Sequence, residues 1–232
     1  MDIRNERLIV KADKDKVFVF GASGHAKVII DIIERQGFHG IAFLVDDDPE
    51  LKGKEIYGYQ IIGSRTELLS SGIRRGIVAI GSNRSRCSVA AWLKENDFEF
   101  VSAIHPSTEL ARGVAVGSGS VIMAGAVINS DVSIGYDVIV NTRSSIDHDC
   151  IIGDGVHIAP GATVCGSVII GAGTFVCAGA TIIPNITIGR NVVVGAGSTV
   201  IRDVPDDVTV VGSPARIVGP LRTYALNFER KV

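Results

Sequence analysis

The sequence predicts a small parallel α/β sheet followed by a triangular coil of short strands. Three observations carry that prediction. From Leu110 onward the chain falls into sixteen uninterrupted hexads, each led by an aliphatic residue, from Leu110 and Val116 through Ile146, Ile152 and Ile158 to Val200. Aliphatic-Gly doublets recur every eighteen residues, at Val116-Gly117, Ile134-Gly135, Ile152-Gly153, Ile170-Gly171 and Ile188-Gly189. Before residue 106, apolar runs that end in polar turns alternate with segments of helical apolar spacing.

Each element follows from its residues. "KVFVFGASGH" is a continuous apolar strand running into a glycine turn, and "AKVIIDIIERQG" is an amphipathic helix closed by Gly37. "IAFLV" is a second strand, ending in Asp46, Asp47 and Asp48. "GIVAIGSN" is another strand-to-turn unit, followed by the helical "RSRCSVAAWLKEND" and a last strand in "FEFVSAI". Strand–helix alternation makes a small Rossmann-like parallel sheet, assigned to residues 1–105, with "HPSTEL" as the joint. Residues 106–232 form the second domain. A helix at 3.6 residues per turn cannot keep a six-residue period in register, whereas a triangular coil of three short strands can. First and fifth positions face inward, glycines are expected at positive-φ corners, and "VIRDVPDDVTVVGSPARIVG" begins a C-terminal cap. At ~4.8 Å per strand, five-odd coils stack to roughly 25 Å.

Composition narrows the function. The 232 residues carry a net charge of −2 and no basic run, which argues against nucleic-acid binding. No apolar run is long enough to span a bilayer, and "MDIRNERLIVKADKDK" is charged rather than signal-like. The four cysteines show no metal or disulfide spacing, so a reduced, cytoplasmic setting is expected and no metal is required. With 27 glycines and one tryptophan, the core is built from small and β-branched residues.

Three polar strand ends share the carboxyl edge of the predicted sheet: Ser23, Gly24 and His25 at a helix start, Asp46 and Asp47, and Gly81 with Ser82 and Asn83. Such an edge suits a phosphate and a ribose or base. About ninety residues leave no second mononucleotide half, so a nucleotide-linked molecule fits better than NAD. In the second domain, His148 and Asp149 take the third and fourth places of a hexad and so point outward, where packing does not explain them. A histidine beside a carboxylate has the makings of a general base. His157 is last in its hexad and is read either as a ligand contact or as a solvated corner residue.

The hexads, with "FGASGHAKVI", "FLVDDD", "AIGSN", "IHPSTEL", "IDHDCIIGDGVHIAPGATVCG" and "GSPAR", resemble the left-handed β-helix acyltransferases. The resemblance is to the branch holding the sialic-acid O-acetyltransferases and the nucleotide-amino-sugar N-acetyltransferases of the bacillosamine and perosamine pathways. It covers residues 16 to about 218. It implies a homotrimer, acetyl-CoA as donor, and a nucleotide sugar on the first domain. It also implies His148 as base, Asp149 as the acid raising its basicity, and His157 at the thioester end of acetyl-CoA. Ala178 and Ala196 would touch the pantetheine arm through their backbones, while Ser23, Gly24, His25, Asp46, Asp47 and Gly81 would grip the nucleotide.

The resulting expectation is an acetyl-CoA-dependent N-acetyltransferase acting on a UDP- or GDP-linked 4-amino-sugar. Sialic-acid O-acetylation and a non-catalytic sugar-nucleotide scaffold are the alternatives. His148 and His157 are nine residues apart, half of an eighteen-residue coil, so they leave opposite sides of one prism. A single reaction centre using both must then lie between neighbouring chains.

Overall fold

A computed structural model describes residues 15–220. The first fifteen-residue stretch, apart from Asp15, and the tail from Leu221 lie outside the described residues. The N-terminal unit contains β1 (Lys16–Phe20), α1 (Gly24–Gln36), β2 (Gly40–Val45), the hairpin β3 (Glu55–Ile56) and β4 (Tyr59–Gln60), α2 (Arg65–Ser70), β5 (Arg75–Val78), α3 (Asn83–Glu95) and β6 (Glu99–Phe100). Its sheet is parallel in the order β2-β1-β5-β6. The order reverses between β1 and β5, and ligands of open α/β sheets bind outside the carboxyl ends of the strands at such a point. The two ends come very close there: Gly21 has φ +112°, and a Cβ on it would stand 2.7 Å from the Ala79 carbonyl oxygen. The hairpin and α2, which starts with a Ser64–Glu67 capping box, had no counterpart in the sequence reading.

"FEFVSAI" does not form one strand. It divides into β6 and Ala103–Ile104, and the second piece already belongs to the coil, where it pairs with Val121–Ile122. From there sixteen more two-residue strands follow at six-residue spacing, ending at Thr199–Val200. Parallel pairing joins residues eighteen apart, as in Val121↔Ile139, Ile139↔His157 and His157↔Phe175, which makes three flat faces. The first face carries His157, the second Ser145–Ile146 and the third Ile151–Ile152. First and fifth positions fill the interior, as in Ile146, Cys150, Ile152, Val156 and Ile158. Leu110, at the open start of the stack, is an exception and stays exposed. Val208–Gly212 extends the first face and turns back antiparallel through Ala215–Pro220.

The glycines divide differently from the expectation. Left-handed backbone recurs at fourth positions, filled by Gly155 and Gly161 but equally by Asp131, Asp137, Asp149, Asn185 and Asn191. Asp and Asn tolerate that region better than most residues. The doublet glycines are needed for another reason: a Cβ on Gly117 would sit 2.4 Å from the Gly135 carbonyl oxygen in the next coil. Contact between coils, and not a positive φ, excludes a side chain there.

α1 lays Ile29, Ile30 and Ile33 in one apolar cluster with Ala103, Val121, Met123 and Ile139 of the first face. The N-terminal unit therefore covers the early coils of that face and leaves the later ones open.

Candidate active site

His148 stands on the corner between the second and third faces, with Asp149 at φ +59°. That turn folds the Asp149 carboxylate back onto the imidazole, Nδ1 to Oδ2 at 2.7 Å. Both side chains are open to solvent, 56% and 61% exposed. Asp147 accepts the His148 backbone N–H at 2.9 Å and the Asn129 amide at 2.8 Å, which fixes the corner itself. The bond from Asp149, with the Asp147 charge, raises the imidazole above the ordinary histidine range. With Nδ1 committed, Nε2 is the atom left to take a proton. The ring lies over Gly166, where a Cβ would come within 2.7 Å of both Cε1 and Nε2. Sequence reasoning passed over Gly166; the available signal is that it follows His148 by one full coil.

His157 is not a solvated corner residue. Only 8% exposed, it is covered by the N-terminal unit and tilted against Phe175 at a centroid distance of 4.8 Å. Burial, then the charges of Arg86 and His25, push its imidazole down to about 3, so it is neutral at ordinary pH. The Asn141 side-chain oxygen accepts the Thr142 N–H at 2.8 Å, which turns the Asn141 amide nitrogen toward His157 Nε2 at 3.1 Å. The ring proton is thereby placed on Nδ1. That atom is buried and faces the Gly81 backbone without a well-formed hydrogen bond.

Beyond His157 the open part of the first face forms an apolar groove of about 480 Å³. His157, Ala178 and Ala196 all line it, together with Phe175, Cys177 and Thr209. Walls of alanine and glycine admit a slender chain. Burial raises the Cys177 thiol to about 11, so it stays protonated and uncharged. His148 is on the far side of the prism, so one chain does not bring the two histidines together.

At the sheet edge, Ser23 caps α1 without a side-chain hydrogen bond, and Gly24 faces open space. His25 Nε2 is buried without a partner, and burial with the Arg86 charge lowers that imidazole to about 4. Asp46 and Asp47 line a neighbouring pocket of about 330 Å³ with Arg65, Arg84, Ser85 and Ser88, none of which sequence reasoning had picked out. Asp46 is already engaged: it accepts from the Ala22 N–H at 2.8 Å and the Asp48 N–H at 2.9 Å, holding the β1–α1 turn. Asp47 meets Arg65 at 3.0 Å, and that guanidinium packs over Trp92 and Phe20.

Residues 16–104 match the PglD N-terminal domain, and residues 167–202 match the bacterial transferase hexapeptide (six repeats). The chain is 38% identical to perosamine N-acetyltransferase from Caulobacter crescentus, solved as a histidine-to-asparagine variant in complex with CoA and GDP-perosamine. That match covers 88% of this chain and 97% of the other, with a TM-score of 0.84. The chain belongs to the PglD-type hexapeptide acetyltransferase family. Its prism is thus a left-handed β-helix. Another family member, the acetyltransferase domain of PglB from Neisseria gonorrhoeae FA1090 in complex with acetyl coenzyme A, is 35% identical. It is covered over 100% of its length and 88% of this chain, with a TM-score of 0.81. UDP-N-acetylbacillosamine N-acetyltransferase of Bacillus subtilis (strain 168) is 38% identical over 114 residues, 47% of this chain, and the aligned part spans about half (51%) of that relative. Among the described residues no helix is long and apolar enough to cross a membrane.

Proposed function

We propose that the protein transfers acetyl from acetyl-CoA to the amino group of a nucleotide-linked 4-amino-sugar. The observation that carries this reading is the His148–Asp149 pair at 2.7 Å, on a chain that also has a slender apolar groove and a polar sheet edge. CoA and GDP-perosamine are bound together in the Caulobacter relative, which supports the same pairing of donor and acceptor here. The pantetheine arm would run along the groove past Ala178 and Ala196. The nucleotide would lie across the switch point, its phosphates near Ser23, Gly24 and His25 and its base toward Asp47 and Arg65.

In the reaction the sugar amine attacks the thioester carbonyl carbon, and His148 Nε2 accepts the proton that the nitrogen loses. Asp149 steadies the imidazolium. The developing oxyanion is left to a backbone N–H donor, because His157 Nε2 is occupied as an acceptor by Asn141. Collapse of the tetrahedral intermediate breaks the C–S bond, and the CoA sulfur leaves and takes up a proton.

The working unit on this reading is a homotrimer in the cytoplasm, with His148 of one chain meeting the groove of the next. The test of function is a panel of UDP- and GDP-linked 4-amino-sugars and sialic acids with acetyl-CoA, reading released thiol. Turnover confined to sialic acids points to O-acetylation, and none at all to a binding scaffold.

Two further expectations arise here. Asp149→Asn removes the main cause of the raised His148 pKa. The unprotonated form is the active base, so the acid limb of the kcat/KM profile should move to lower pH, with a lower plateau; an unmoved limb contradicts the pair. Asp46→Ala loosens the β1–α1 turn, so KM for the sugar nucleotide should rise while that for acetyl-CoA stays nearly unchanged. Equal rises in steady-state assays would contradict separate donor and acceptor sites.

A further inference from the structure

Arg86, on α3, is 1% exposed, and so far it has entered only as a charge felt by His25 and His157. Its Nε donates to the Asp137 carbonyl at 2.9 Å, and Nη2 donates to the Gly155 carbonyl at 2.8 Å and to Asn83 Oδ1 at 3.0 Å. Nη1 donates to the Ile80 and Gly81 carbonyls, both at 3.2 Å. Asp137 and Gly155 are stacked corners of consecutive coils, and Gly155 precedes His157 by two residues. Ile80 and Gly81 lie in the turn just past the carboxyl end of β5, the switch-point strand. One planar fork thus ties the acceptor edge to the coil that carries His157.

None of these acceptors is a carboxylate. A buried cation held by neutral carbonyls is costly, and an apolar residue would fill the same space at less cost to stability. Burial lowers the guanidinium to about 10, which still leaves it charged at neutral pH. What an apolar replacement cannot do is fix five distances at once across two domains. Asn83 adds a second tie, donating to the Gly173 and Thr174 carbonyls at 3.0 and 3.2 Å. The same positive charge also disfavours protonation of both His25 and His157.

We infer that Arg86 is a positioning residue for the transfer step, setting the distance between the sugar-nucleotide edge at Gly81 and the acetyl-CoA groove at His157. The inference rests on the proposed acetyl transfer. A misplacement of about 1 Å between reacting groups is enough to cost about 10²-fold in rate.

The test uses Arg86→Lys and Asn83→Ala in the full-length chain, with circular dichroism to confirm folding. Calorimetry gives the separate affinities for acetyl-CoA and for the sugar nucleotide that wild type turns over best. Expected is a fall in kcat of about 10–100-fold in Arg86→Lys, with both affinities within about threefold of wild type. Asn83→Ala should show a smaller fall of the same kind. A purely structural role would lower the melting temperature yet leave kcat per folded molecule intact, and that result overturns the inference. So does a parallel loss of affinity and rate. If Arg86→Lys does not fold, Asn83→Ala decides: wild-type kcat there overturns the inference. Absence of turnover in wild type with every amino sugar instead sinks the acetyl-transfer reading, which separates the two failures.

Discussion

His148→Ala should retain affinity for acetyl-CoA and lose about 10²–10⁴-fold in kcat, the usual cost of removing one general base. The side chain packs against nothing that holds the prism together: it is more than half exposed, and its one side-chain bond is to an equally exposed aspartate. Deleting it leaves the Ile146, Cys150 and Ile152 interior untouched. Rate and folding should therefore separate cleanly. Steady-state assays with calorimetric affinities check this, and turnover near that of wild type would remove His148 from the mechanism.

The second large effect concerns mixed assemblies. His148 lies at a corner between the second and third faces and His157 on the first, so a centre using both needs two chains. Reacting atoms must come within about 3–3.5 Å, which no side-chain rotation across the prism can supply. His157→Ala should be inactive by itself, since it removes the buried contact to Phe175 and Asn141 at the mouth of the groove. Mixed with His148→Ala and reassembled, some seams would join an intact His148 to an intact groove, and activity should return. In a closed ring each chain offers both surfaces once. Strict inactivity after confirmed subunit exchange refutes a shared centre.

Much of this was readable in advance, because in a stacked coil the burial of a residue depends on its place in the hexad and little else. Ile146 and Cys150 inward, His148 and Asp149 outward, follow from counting. The grouping of His157, Ala178 and Ala196 in one groove follows from family resemblance, and the structure gives it a shape. The burial of His157 was not legible, because its cover comes from a unit more than sixty residues earlier in the chain. The doublet glycines were assigned the wrong cause, since close stacking and left-handed backbone both select glycine and only coordinates tell them apart. Arg86 did leave a trace. It falls on the same helical stripe as Val89, Ala90 and Leu93, all buried, and a cation at that place in an apolar stripe marks a partner lying beyond the helix.

The N-terminal sheet and the open groove share the first face of the prism, one covering its early coils and the other its late ones. Two substrates using these places would enter from opposite ends and meet near His157, neither crossing the path of the other. Such an arrangement imposes no order of addition. The kinetic scheme that suits it is sequential and random, with donor and acceptor held together before any bond changes, and without an acetylated enzyme between two half-reactions.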